Sequence, residues 1–338
     1  MEKLKIGVVG AGSIAQIIHI PILLNREDVE LTAVCDIDDN KVSMLTEKFD
    51  IPRGYEVLDD MIREENLDAL HICTTSFYHY PMSYLALNNN IHVLIEKPVA
   101  LNTQDAIKLN KLAKSKKLTA MVGMHNRFRE DVLTLREFIR NHELGKLFYI
   151  KSGWLKKWTQ NPIQSWQGKK NYAGGGAMID MGLPMIDLCL FVLNYPKIHS
   201  VRLYNYHLNP EIQVEDSAFA IIRTTDDITF TIEVSWRMHT DKDLVYSHFF
   251  GNKGSAYLNP LRVQKELHGK LVNVTPFEEN THRDRYIRAY EKEIDHFIRV
   301  VRGHVQNQST VQDAINAMQI IDALYQSAET GQEIILNE

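Results

Sequence analysis

The chain has 338 residues, 44% of them hydrophobic and 24% charged, with a formal net charge of −5. That length exceeds one ordinary core and suits two domains, expected at 1–125 and 126–338. The acidic balance offers no basic surface for nucleic acid or anionic lipid, and no apolar run is seen to approach the roughly 18 residues of a membrane span.

The stretch "LKIGVVGAGSIAQIIHIPILL" opens with Leu4 to Val9, a short apolar run that suits a strand buried on both faces. Residues 1–10 already read as a strand, so no signal peptide is expected. Gly10, Gly12 and Ala15 follow in G-x-G-x-x-A spacing, with Ser13 and Ile14 between the last two. The first glycine permits a tight turn, and the second lets the backbone approach a pyrophosphate. The small third residue lets the helix lie close to the strand, and free N–H groups at the helix start face the phosphates. Pro21 is expected to bend or end that helix early.

A second strand, "VELTAVC", ends at Asp36, 24 residues after Gly12. An acid there accepts hydrogen bonds from the adenosine ribose and repels a 2′-phosphate, so NAD is favoured over NADP. Read alone, Asp36 equally suits the start of a turn. The β-α alternation continues through "LDALHICTT", "YHYPMSYLALNNN", "IHVLIEKPVA", a helix "TQDAIKLNKLAKSKK" with Thr103 as its N-cap, and "LTAMVGMHNRF". Repeated β-α units predict a Rossmann-type, doubly wound parallel sheet with ligand groups at the strand carboxyl ends. Those ends carry Thr74, Thr75, His79, Glu96, Lys97, Pro98 and Arg127, read as cofactor-binding, and His125 and Asn126, read as substrate-facing.

Lys97 leaves its strand directly before Pro98, which restricts its backbone to extended values and permits a cis bond. A partly desolvated lysine beside a positively charged nicotinamide gives up its proton readily, which suits acid–base work during hydride transfer. A surface lysine ending a strand fits the tripeptide as well. The cysteines Cys35, Cys73 and Cys189 each sit in apolar runs and read as buried free thiols of a reducing compartment. No metal site is expected, and the chain reads as cytoplasmic.

From about residue 128 the pattern changes. A helical "DVLTLREFIRNHELGK" stopping at Gly145 precedes several alternating apolar-polar segments joined by short turns, the signature of a largely antiparallel sheet. Two amphipathic helices, "YIRAYEKEIDHFIRVVRG" and "TVQDAINAMQIIDALYQSAETG", follow. The loop with Trp154, Trp158, Trp166, Lys169, Lys170 and Tyr172 suits a polyol or an oligomer contact, and His239 follows the strand "TIEVSWRM".

Together, "GVVGAGSIA", "HVLIEKPVA", "VGMHNRF", "GGGAMIDMG", "VEDSAF" and "DALYQSAETGQEIIL" resemble the Gfo/Idh/MocA oxidoreductases over nearly the whole chain. The resemblance implies a Rossmann domain followed by an α+β domain with an open, largely antiparallel sheet. It also implies a homodimer or homotetramer formed through that sheet, and a sugar or polyol substrate. It makes Lys97 and Asp180 the catalytic residues. The family histidine four residues after that aspartate falls on Pro184, which has no side-chain proton and no backbone N–H. Proline there is expected to kink or loosen the helix. His125 is then the first substitute and His239 the second, with Trp166 and Tyr172 on the substrate side. Two alternatives to a dehydrogenase stay open: a dinucleotide-binding sensor without turnover, and an NAD-assisted lyase or glycosidase with no net redox change.

Overall fold

The computed structural model describes residues 2–159, 166–276 and 282–336, the side chains of 282–284 excepted. The chain divides into two compact units, Met1–Met124 with Tyr290–Ile315, and His125–Ala289 with Asn316–Glu338.

The first unit holds a six-stranded parallel sheet of β1 (Leu4–Val9), β2 (Val29–Cys35), β3 (Arg53–Tyr55), β4 (Ala69–Ile72), β5 (His92–Glu96) and β6 (Ala120–Gly123), in the order β3-β2-β1-β4-β5-β6. The inner strands are apolar runs with nearly every residue buried, as sheets covered on both faces require. The helices are α1 (Ile20–Leu24), α2 (Asp39–Phe49), α3 (Leu58–Glu64), α4 (Ser76–Asn88) and α5 (Thr103–Lys116). The strand order reverses between β1 and β4, so the crevice at their carboxyl ends is the switch point where such sheets bind ligands. Tyr290–Ile315 belongs to this unit. Ser309 bonds both ways across the β6 edge, its Oγ donating to Val122 O at 2.6 Å and its carbonyl accepting from Val122 N at 3.0 Å. Pairing of that kind covers an otherwise exposed sheet edge.

The second unit holds α6 (Glu130–Arg140), β7 (Leu147–Lys157), α7 (Lys170–Ala173), α8 (Leu183–Val192), β8 (Ile198–Tyr206), β9 (Ser217–Thr224), β10 (Thr229–Met238), β11 (Leu244–Gly251), β12 (Gly254–Leu258), β13 (Arg262–Leu267), β14 (Lys270–Asn273) and β15 (Ile334–Ile335). Its nine strands run β14-β13-β12-β11-β7-β10-β9-β8-β15, antiparallel except where β10 lies parallel to β7. Period-two burial shows in β7, β10 and β11: Ile150, Ile232 and Phe249 are buried while Tyr149, Glu233 and Phe250 on the opposite face are half-exposed. Two long helices, α9 (His282–Val301) and α10 (Val311–Thr330), each contribute residues to both units.

Two expectations need correction. Thr103 is not the cap of α5. Asn102 caps it, its Oδ1 accepting from Asp105 N at 2.9 Å, and Thr103 is the first helical residue. One helical run, Lys170–Val192, is long and apolar enough for a membrane span, contrary to the sequence reading. However, 94% of the relevant window is buried inside the protein, as in a core helix. The helices are altered beside their prolines, as expected: α1 ends at Leu24, three residues after Pro21, and the turn before Pro184 is loosened. The backbone widens into a π-turn over Ala15–His19 before Pro21 and over Met178–Gly182 before Pro184, and only α8 continues at length, to Val192.

Candidate active site

In the first unit, the turn after β1 leads into a helix that starts at Ser13, with Gly12 and Ser13 exposed and Ala15 buried against the sheet. Gly10 has φ of +96°, and a Cβ there would stand 2.6 Å from the Cys73 carbonyl carbon, so only glycine fits. At Gly12 a Cβ would meet nothing closer than 3.9 Å, so the second glycine of the motif leaves space that no side chain of this unit fills. The Asp36 carboxylate reaches back to this loop, accepting from Ala11 N at 2.6 Å and from Asp38 N at 2.9 Å. The acid is thereby fixed at the β2 end with part of its surface in solvent.

The β4 and β5 ends meet the same loop region. Thr74 and Thr75 enter α4, and Thr75 Oγ1 is buried with no hydrogen-bond partner among the described residues. A buried hydroxyl left over at the switch point suits a ligand's polar group. The residues therefore fit a dinucleotide on three counts: an exposed helix start at Gly12 and Ser13, a placed acid and an unsatisfied hydroxyl. His79, 2% exposed, lies between two carbonyls, with Nδ1 2.6 Å from Pro98 O and Nε2 3.0 Å from Thr74 O. Burial pulls its pKa down, opposed by those carbonyls and by Glu96. His79 thus ties the start of α4 to the E-K-P turn. Lys97 is half-buried directly after β5 and joined to Pro98 by a cis peptide bond. Glu96, the last residue of β5, is bonded to His19 Nε2 at 2.9 Å.

In the second unit, Asp180 stands in the middle of the π-turn, half-buried, and its Oδ2 accepts from the indole Nε1 of Trp236 on β10 at 2.9 Å. Sequence reading missed Trp236; the two residues are 56 apart, and nothing local signals the pair. Pro184 is buried in α8. Glu215 was also missed. Its carboxylate accepts from Gly176 N at 3.1 Å, Met178 N at 3.0 Å and Tyr325 Oη at 2.8 Å. Burial raises its pKa, with those donors opposing. It therefore caps the amides that begin the Asp180 segment. Gly176 must be glycine for this contact, because a Cβ would stand 1.9 Å from Glu215 O.

The remaining expected residues scatter. Arg127 is 1% exposed, and its guanidinium makes a two-pronged pair with the equally buried Asp187, with Nε to Oδ2 at 2.9 Å. Asn126 is buried and accepts from Arg129 at 3.3 Å. His125 lies edge-on to Tyr286, centroids 5.3 Å apart. His239 stacks on Trp158 at 5.7 Å, exposed at the end of β10. Tyr172 is 41% exposed, with Lys169 Nζ 6.0 Å from its ring, and Trp166 is half-buried. The middle of that loop, 160–165, lies outside the described residues. Among the described residues no His/Cys/Asp/Glu cluster could hold a metal.

Residues 4–124 match a family model described as oxidoreductase family, NAD-binding Rossmann fold, and residues 136–336 match that family's C-terminal alpha/beta domain. The chain belongs to the Gfo/Idh/MocA oxidoreductases. It is 27% identical to the D-glucoside 3-dehydrogenase of Escherichia coli, covering 99% of this chain and 98% of that protein. It is 22% identical to the myo-inositol 2-dehydrogenase of Thermotoga maritima, covering 99% of each. The crystal structure of GenD2 from gentamicin A biosynthesis in complex with NAD shares its fold, with a TM-score of 0.88, 23% identity and coverage of 100% of this chain and 97% of that one.

Proposed function

We propose that this family member is an NAD-dependent dehydrogenase that transfers hydride between nicotinamide and a carbinol or carbonyl carbon of a sugar, polyol or sugar derivative. The observation that carries the reading is the complete apparatus at one sheet end, with the glycine turn, Asp36 and the E-K-P turn all at the carboxyl edge of the parallel strands. Bound NAD supplies the hydride acceptor. In the oxidative direction Lys97 takes the hydroxyl proton at Nζ as the C–H bond breaks, and it returns that proton in reduction. Asp180, its carboxylate turned by Trp236, binds a substrate hydroxyl. Asp36 selects NAD over NADP, because a 2′-phosphate beside its carboxylate would be repelled. The similarity to dehydrogenases of a glucoside and of myo-inositol supports the substrate class.

The half-exposed face of the second sheet carries Tyr149 stacked on Phe250 at 5.8 Å, with His248 and Tyr257 beside them. We assign this aromatic face to a homodimer or homotetramer contact. The buried free thiols fit a cytoplasmic enzyme.

Proline in place of the family histidine favours one further reading, a dinucleotide-binding sensor without turnover. Incubation with NAD and a sugar and polyol panel separates the two. NADH formation that is lost in Lys97→Ala supports the dehydrogenase. Tight NAD binding with no turnover across the panel leaves the sensor. Product released without net NADH points to transient oxidation during bond cleavage.

A further inference from the structure

Behind the β5 end, three titratable side chains form a chain inside the first unit. Glu96 Oε1 lies 2.9 Å from His19 Nε2, and His19 Nδ1 lies 3.0 Å from His71 Nδ1. His19 closes the π-turn after the glycine loop, and His71 lies on β4. They are 1% and 0% exposed, with Glu96 at 9%. The imidazole planes cross at 83°, His19 lies edge-on to Tyr290, and His71 lies edge-on to Phe297. The far nitrogen of His71, Nε2, is buried with no hydrogen-bond partner among the described residues.

That unpartnered nitrogen orders the protons. Two Nδ1 atoms in contact need one donor and one acceptor. If His19 were the donor, the proton of neutral His71 would sit on Nε2 and face no acceptor, a buried orphan N–H that native interiors rarely tolerate. Burial also excludes the His71 cation, holding its pKa well below the ordinary value. So His71 donates through Nδ1, His19 accepts there, and the His19 proton sits on Nε2 and points at Glu96. A donor pointing at a carboxyl oxygen favours its ionised form. Among the described residues, the other titratable groups around these three include Tyr290, edge-on to His19, Cys73 and Glu293, which lie in electrostatic reach of each other, and His79 and Lys97 at the E-K-P turn. The Cys73 thiol is pushed well up by burial, and so stays neutral.

We infer that His19 and His71 are positioning residues that hold Glu96 as a fixed carboxylate at the β5 end, and that this charge weights the site toward oxidised over reduced dinucleotide. The inference rests on the NAD-binding reading above. Oxidised nicotinamide carries one more positive charge than the reduced ring, so a nearby carboxylate stabilises it selectively. At an effective dielectric of about 20, one charge changes such a ratio about tenfold from about 12 Å and by more from nearer, so at least a tenfold effect is expected.

Two measurements test it. In protein with ¹⁵N-labelled histidine at pH 7.5, two-bond ¹H–¹⁵N correlations should show His71 protonated on Nδ1 and His19 on Nε2. A His19 proton on Nδ1 alone, or a doubly protonated His19, overturns the proton order. The dissociation constants of NAD⁺ and NADH are then compared in His19→Gln and His19→Leu. Glutamine places its amide N–H where Nε2 stands and should keep the wild-type ratio. Leucine removes the donor and should shift the ratio toward NADH by at least about tenfold. An unchanged ratio in a folded His19→Leu, confirmed by its circular dichroism, overturns the charge assignment. Absence of dinucleotide binding by the wild type would sink the NAD reading and the charge assignment together, while the proton order is still decided by the NMR spectra.

Discussion

Arg127→Met isolates what the guanidinium is for. The Arg127 and Asp187 side chains are each 1% exposed and joined by two N–H···O bonds, and the guanidinium carbon lies 5.7 Å from the Phe191 ring and 5.6 Å from that of Tyr195. Methionine keeps much of the stem's packing but leaves a buried carboxylate without its cation. Breaking a buried pair from one side costs about 3–5 kcal/mol. Asp187→Leu should cost a similar amount by removing the buried counter-ion of the guanidinium. Replacing both together removes the charges as a unit, and such exchanges are often close to neutral. The double variant should therefore lie within about 2 kcal/mol of the wild type, with a coupling energy of about 3 kcal/mol or more.

The assay is urea unfolding followed by tryptophan fluorescence. All four tryptophans, Trp154, Trp158, Trp166 and Trp236, lie in the second unit, so the signal reports the unit that contains the pair. Single variants costing less than about 1 kcal/mol, or costs that simply add, would refute the buried-pair account. The same proteins decide the cofactor role expected from the sequence. If the double variant recovers stability and also binds NAD normally, Arg127 serves the fold. If stability returns and NAD affinity does not, Arg127 serves the cofactor as well.

Trp236→Phe keeps the ring and removes the N–H that holds Asp180. Losing one such bond costs about 1–1.5 kcal/mol, so stability should fall by no more than that and kcat/KM by about tenfold; an unchanged kcat/KM on an identified substrate refutes the role. Burial pushes the Cys35 and Cys189 thiols up to about 12, and Cys73 higher than its ordinary value, so the folded protein should not react with a disulfide reagent at pH 8 and should react fully in urea. For Glu215, burial raises the folded-state pKa, so the stability it contributes is fully present below the unfolded value of about 4.5 and is lost as pH rises through the raised folded value. The stability of the wild type relative to Glu215→Gln should therefore fall from pH 4.5 toward neutrality in urea titrations, and a difference that grows with pH contradicts the assignment.

The parts of this architecture visible in the sequence are those written in short spacings. Continuous apolar runs identified the inner parallel strands, and the glycine spacing after β1 placed the dinucleotide turn. Alternation along β7, β10 and β11 separated the two faces of the second sheet. The hidden parts join residues far apart in the chain. Trp236 meets Asp180 across 56 residues, Glu215 caps amides 39 and 37 positions away, and His19, His71 and Glu96 come from three separate elements. Each of these side chains is unremarkable where it stands, and only the strand order brings it to its partner. The amphipathic pattern of α9 shows one apolar face but not which unit that face will join. At α5 the ambiguity was of one residue, because Asn102 and Thr103 are adjacent and both are cap formers.

The two prolines show how a local rule takes shape in the backbone. In an α-helix the ring of Pro184 would collide with the carbonyl of Asp180, and that of Pro21 with the carbonyl of Ile17. Instead the preceding turn widens: Leu183 N–H reaches back five residues to Met178 O, and Ile20 N–H reaches Ala15 O. A five-residue reach swings the carbonyl four residues back out of line with the proline nitrogen, so the ring is accommodated. The widening also changes which way the turn's own side chains point. Both turns carry a side chain that the proposed chemistry uses, Asp180 in one and His19 in the other. π-Turns gather at functional sites for this reason. A proline one residue after such a turn excludes the regular α-helical register, in which these side chains would point elsewhere. Pro184 thereby favours the π-turn that carries Asp180 to the Trp236 indole N–H.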